Sequence, residues 1–213
     1  MKIAIIGATG TAGRALTQEA LNRGHQVTGF VRHPEAAAGL FTAPVEMRAQ
    51  DAFTLTKADL TPFDVVIDAF RPENEAASLH IDLAAHLIHL LRGTTTPRLV
   101  FITGAASLKH PQGGLLYDRL IQLPGHEAWI ATPQSQAIEL EYLRQVTDVN
   151  WLAFSPSATF EAGPATGYVG GSDTLLQDAQ HESVLSSGNL ALAILDELEV
   201  PTTQHGRLTA RNR

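Results

Sequence analysis

Cysteine is absent from this chain, which excludes disulfides, thiolate metal sites and cysteine nucleophiles. Long apolar runs are absent too: nothing approaches the roughly 18 residues that a membrane span needs, so no membrane partner is expected. Positive charge is scarce, with 15 Lys and Arg against 22 Asp and Glu and a net charge of −7. Without a basic excess to neutralise phosphates, a general nucleic-acid partner is excluded, leaving room only for a local cationic pocket around one phosphorylated ligand. The start, Met1-Lys2 followed by a strand-like run, has no signal-peptide layout, and a cytoplasmic protein is the expectation.

The chain does have the composition of one ordinary domain. Its 213 residues, 44% hydrophobic and 17% charged, suffice for one sizeable core over 1–213. Apolar, β-branched runs at 2–6, 26–32, 45–49, 64–70, 98–103 and 151–154 read as strands, with a last one at 207–210. Helical spacing marks 12–23, 79–91, 133–146 and 189–198. This alternation implies an α/β fold, a doubly wound parallel sheet with helices on both faces. Two stretches rich in Gly, Pro, Ser and Thr, 108–132 and 155–187, follow strand ends. Ligands of open α/β sheets bind beyond the carboxyl ends of strands, so both stretches are expected to be site-covering loops, the second a small loop-rich C-terminal substrate lobe.

Gly7, Gly10 and Gly13 recur at three-residue spacing between the first strand and the first helix. Gly7 permits a tight turn, Gly10 lets backbone approach a pyrophosphate, and Gly13 brings the helix close to the sheet. The helix N-terminus then offers amides and a dipole to the phosphates. An acid that would hold the ribose 2′-hydroxyl of NAD is expected about 20 residues on. Val31-Arg32-His33 stands there instead, and the planar fork of Arg32 suits the 2′-phosphate of NADP. Arg14, in the first helical turn, is placed where a second phosphate contact is expected.

The stretches GATGTAGRAL and VRHP, Asp51 and DVVIDAF resemble the atypical short-chain dehydrogenase/reductases, with their NmrA-like and NAD(P)H-flavin-reductase-like members. FITGAASL, SPSATFEAGPATGYVGG and SGNLALAILDELE extend the resemblance nearly end to end and point to the flavin-reductase-like proteins. The resemblance implies Gly7, Thr9, Gly10, Thr11, Ala12 and Gly13 at the phosphates and Arg32 at the adenosine ribose. It implies Asp51 near the adenine, Ala69 and Phe70 beside its ribose, and Thr103, Gly104, Ser107, Ser155, Pro156 and Ser157 around the nicotinamide. The family commonly has a basic residue where Thr11 stands, which implies a weaker grip on phosphate.

Short-chain dehydrogenases use a tyrosine with a lysine four residues later for proton transfer. Here Ile121, Val146 and Ser172 follow Tyr117, Tyr142 and Tyr168 at that spacing, and the lysines are Lys2, Lys57 and Lys109. Alcohol–ketone chemistry by that route is therefore not expected. Flavin reduction asks less of the protein, because hydride passes between two cofactor-like rings and solvent can settle the proton. The reading is an NADP-preferring oxidoreductase, with NAD possible, that reduces free flavin or a similar planar acceptor as substrate rather than prosthetic group. A non-catalytic NmrA-like redox sensor is the main alternative, and an enzyme using Tyr168 or His126 as acid/base is a third. Ser107 is the expected catalytic hydroxyl, hydrogen-bonding the nicotinamide amide. Ser157, Phe160 and Tyr168, with Trp129 and Phe154, are expected to shape a site for the planar acceptor. His80, His86 and His89 read as a solvated helix face rather than a metal site, and Glu139 and Glu141 point to different helix faces. A small-molecule electron acceptor is the expected partner, and the chain a monomer or homodimer.

Overall fold

The strand β1 (Lys2–Ile6) is buried from Ile3 onward on both faces, as a central parallel strand must be. The computed structural model describes residues 1–213. From β1 the chain turns into α1 (Thr11–Asn22), then β2 (Gln26–Val31) and β3 (Glu46–Ala49), both parallel to β1. A short α2 (Lys57–Leu60) precedes β4 (Val65–Asp68), which lies against the other edge of β1. Next come α3 (Leu79–Leu91), β5 (Thr94–Ile102), α4 (Leu116–Leu120), α5 (Ala131–Leu143) and β6 (Val149–Ser155). The remainder is β7 (Thr159–Glu161), β8 (Tyr168–Gly171), β9 (Val184–Ser186), α6 (Ser187–Glu199) and β10 (Gly206–Asn212).

The sheet order is β3-β2-β1-β4-β5-β6-β10-β8, parallel throughout except for β8, which runs antiparallel to β10 at the edge. Strand order reverses between β1 and β4, so the crevice at their carboxyl ends is the switch point where such sheets bind ligands. Alternation along the strands divides the core. Ala4, Ile6, Val66, Leu99 and Phe101 pack under α3 and α5, while Ile3, Ile5, Val65, Ile67 and Val100 pack under α1 and α6. No helix is long and apolar enough to cross a membrane.

The two atypical stretches hold more structure than their composition announces. The first contains α4, and the second contains β7, β8 and β9. β8 joins the main sheet, and β7 pairs with β9 in a separate two-stranded one. A four-residue strand ending in Gly170-Gly171 has no side-chain alternation to reveal it; its partner β10 supplies the order.

Candidate dinucleotide site

Gly7 has φ +76°, and a Cβ there would lie 2.7 Å from the Ala69 carbonyl oxygen of the neighbouring β4 crossover. A Cβ on Gly13 would overlap the Gly7 carbonyl oxygen and come within 2.8 Å of Ala8 Cα. Both positions therefore demand glycine: the first for its left-handed turn, the second because α1 rides directly on the turn. Gly10 caps α1 without a side chain, and the first turn holds no acidic residue. The Arg14 amide bonds the Gly10 carbonyl at 2.8 Å, which leaves the amides of Thr11, Ala12 and Gly13 ahead of the helical ladder. Thr9 sits half-buried in the turn, while Gly10, Thr11 and Arg14 are exposed. Uncapped amides at the positive end of a helix dipole favour a phosphate.

Arg32 stands exposed just beyond β2 and makes no ion pair or hydrogen bond within the protein, so its fork is free for a phosphate. Asp51 is exposed beyond β3, and its Oδ1 accepts the Phe53 amide at 2.9 Å, capping a short turn. Ala69 and Phe70 are half-buried; the Phe70 ring meets Phe53 edge-on at 5.9 Å and His80 at 6.2 Å. Thus the glycine turn, Arg32, Asp51 and Ala69-Phe70 come together along one carboxyl edge, as the dinucleotide reading requires.

Toward β5 and β6 the arrangement is tighter than expected. Thr103 and Ser155 are fully buried and share a hydroxyl–hydroxyl bond at 2.9 Å, tying the two strand ends together. Gly104 is covered by Gln136 of α5, whose Oε1 a Cβ there would overlap. Pro156 is buried, and the Ser157 hydroxyl donates to the Ala210 carbonyl at 2.8 Å, an internal tie. Ser107 is turned toward the sheet: Arg207 Nη1 donates to its hydroxyl at 2.8 Å, and Asp173 holds Arg207 at 2.6 Å. Ser107 lines a cavity of about 340 Å³ with Lys109, Tyr117, Gln134 and Ile138, between α5 and the 108–132 stretch.

Several expected acceptor contacts lie elsewhere. The Tyr168 hydroxyl donates to Asp196, well along α6, at 2.8 Å, remote from the glycine turn at the opposite end of α1. Burial and the Asp196 carboxylate push Tyr168 up to about 12, which removes it as an acid at neutral pH. Phe154 is fully buried in the α1–α6 core and has no free face to stack, and Phe160 packs against that core from β7. Trp129 is exposed, and His126 Nδ1 sits 2.9 Å from the Leu123 carbonyl. The histidines of α3 do not form a solvated face: His80 is buried and His86 Nε2 contacts the Leu55 carbonyl at 3.0 Å, leaving only His89 exposed.

The sequence reading also missed two buried acids. Asp68, the last residue of β4, is 7% exposed, and its Oδ1 accepts the Phe70 amide at 2.9 Å. Glu139 of α5 is 2% exposed, and its Oε2 has no hydrogen-bond partner. Burial pushes Asp68 up to about 7; burial and then the nearby Asp68 charge push Glu139 well above the usual carboxylate range. His80 Nε2 of α3 is also unpartnered, and burial together with Arg71 brings that imidazole down to about 4. One signal was available for Asp68: of the two acids in DVVIDAF, it is the one with apolar residues on both sides.

An NAD(P)H-binding family model matches residues 7–201. The uncharacterized protein YwnB of Bacillus subtilis is 36% identical over 212 residues, covering 98% of this chain and 97% of that protein. A Lactobacillus casei structure is 41% identical with a TM-score of 0.91, covering 100% of this chain and 99% of its own. A Streptococcus pneumoniae structure, named as a candidate NADH-flavin reductase, is 32% identical with a TM-score of 0.89 and full coverage of both chains, 100% each. The match begins at the first glycine of the turn and runs past the end of α6, and the chain belongs to the NAD(P)H-binding family.

Proposed function

We propose that this chain is an NADPH-preferring oxidoreductase that reduces free flavin, or a similar planar acceptor, by direct hydride transfer. The observation that carries the reading is the uncapped N-terminus of α1 facing the switch point, with the unpaired Arg32 beside it. A bound NAD(P)H supplies the hydride. The chain's own part is to hold the diphosphate on the amides of residues 11–13, to clamp a 2′-phosphate with Arg32, and to keep water out. Support for a flavin-like acceptor is twofold. The chain has no tyrosine–lysine pair for alcohol chemistry, and the Streptococcus pneumoniae relative carries a flavin-reductase name.

The test is oxidation of NADPH and of NADH by the purified protein, with and without FMN or riboflavin. Turnover well above the free-solution rate, faster with NADPH, is the expected result. Binding without turnover would replace the enzyme reading with that of a dinucleotide-responsive sensor.

A further inference from the structure

Tyr168 and Phe154 are committed to other parts of the fold, but the cavity of about 340 Å³ beside Ser107 opens just beyond the carboxyl end of β5. Its inner side is polar, and the direction of its hydrogen bonding is fixed. Ser107 is 6% exposed and Arg207 5%. A guanidinium carries donors only, so the Ser107 oxygen is the acceptor of the 2.8 Å bond from Arg207 Nη1. No group of the protein accepts the Ser107 proton in turn, which leaves it to be offered to a carbonyl or anionic oxygen in the cavity.

Three cations, Lys109, Arg144 and Arg207, line the same cavity. Two of them are matched. Arg207 Nη2 lies 2.6 Å from Asp173 Oδ1, while Arg144 pairs with Glu141 and, at 3.3 Å, with that same Asp173 carboxylate. The Lys109 side chain is exposed and makes no ion pair or hydrogen bond. Its backbone is held in place, because its amide donates to the Asp173 carbonyl at 2.8 Å and its carbonyl accepts the Leu175 amide at 2.9 Å. Three cations against the carboxylates of Asp173 and Glu141 leave one positive charge, in a chain whose net charge is −7. The rest of the lining suits a flat apolar body. Leu115 and Ile138 are 39% and 48% exposed there, and Tyr117 adds an aromatic ring.

Resting on the oxidoreductase reading above, we propose that this cavity selects for charge: it takes a planar acceptor bearing an anionic group, FMN rather than riboflavin among the flavins, and Lys109 is the residue that discriminates. The ring lies against Leu115, Tyr117 and Ile138, a ring carbonyl oxygen accepts the Ser107 proton in a hydrogen bond, and the phosphate meets Lys109 with Arg144 nearby. The phosphates of the dinucleotide belong to the α1 amides and Arg32, so each molecule has its own anion site.

Riboflavin and FMN share one ring system and differ by a phosphate, so comparing them isolates the charge. The experiment measures KM and kcat for both with NADPH in the wild type, Lys109→Met, Lys109→Arg and Lys57→Met, the last making the same charge change on α2. The wild-type KM for FMN should be about tenfold below that for riboflavin, and the gap should narrow as salt rises. Lys109→Met should close the gap to within about twofold by raising KM for FMN, whereas Lys109→Arg and Lys57→Met should keep it. Equal wild-type KM values, or a gap that survives Lys109→Met, overturn the proposal and leave the oxidoreductase reading in place. If neither flavin is turned over, the oxidoreductase reading fails, and quenching of flavin fluorescence by the protein in excess NADP decides the proposal by itself. Tighter binding of FMN than of riboflavin, lost in Lys109→Met, supports it; equal or absent binding overturns it.

Discussion

At the carboxyl end of β4, Asp68 is buried without a cation, as Glu139 is on α5, and this has consequences for stability. A carboxyl whose folded pKa lies above its unfolded value favours folding at low pH, and that contribution is lost as pH rises. For Asp68 the window runs from 3.8 to about 7. His80 works in the opposite sense: its stability contribution is present above 6.5 and lost as pH falls toward about 4. Thermal unfolding across pH should therefore show Asp68→Asn gaining on the wild type as pH rises to 8, and His80→Phe gaining on it toward pH 4. Arg32 acts on the ligand alone. Arg32→Asp should lower the NADPH-to-NADH preference about tenfold or more, since a hydrogen bond to a charged group is worth about 1.5–3 kcal/mol; steady-state kcat/KM for both cofactors checks this. Arg32 was singled out by its distance from the glycine turn alone, and it stands exposed there. The burial of Asp68 and Glu139 could not be read in this way: they lie on β4 and α5, and only the packing of that helix on the sheet buries them both.

At the scale of elements, the turn into α1 depends on Gly13. In a free helix Ala would be better than Gly by about 1 kcal/mol, but here its Cβ would collide with backbone of the Gly7 turn. Gly13→Ala should thus destabilise, by about 1–3 kcal/mol in denaturant titration, and should weaken NADPH binding as the helix end is pushed off the turn. Elements with a full period of buried side chains were readable: Leu79–Leu91 is the same helix in sequence and structure. Edges were less legible. The strand read from 98 begins at Thr94, with a register shift before Leu99, because Thr94 and Thr95 pack too little apolar surface to mark a strand. β8 lacked a signal of its own, and the tyrosine it carries was consequently assigned to the wrong end of the molecule.

Across the whole molecule, the far end of the sheet is closed by Arg98 of β5. It pairs with Glu197 of α6 and donates to the Thr203 carbonyl, while Glu197 also accepts the Thr202 amide at 3.0 Å and the Thr203 amide at 3.0 Å. Arg98→Met leaves that buried carboxylate without its cation and should cost about 3–5 kcal/mol with the denaturant m-value unchanged. The damage lies opposite the crevice, so NADPH affinity in the folded fraction should be retained. The account as a whole rests on a diphosphate seated on the amides of residues 11–13. Its most direct test is equilibrium titration of NADPH into the purified protein, followed by nicotinamide fluorescence. The expected result is saturable binding at one site per chain, competed by NADP and weakened in Gly13→Ala. Absence of saturable binding of either NADPH or NADH would contradict the account.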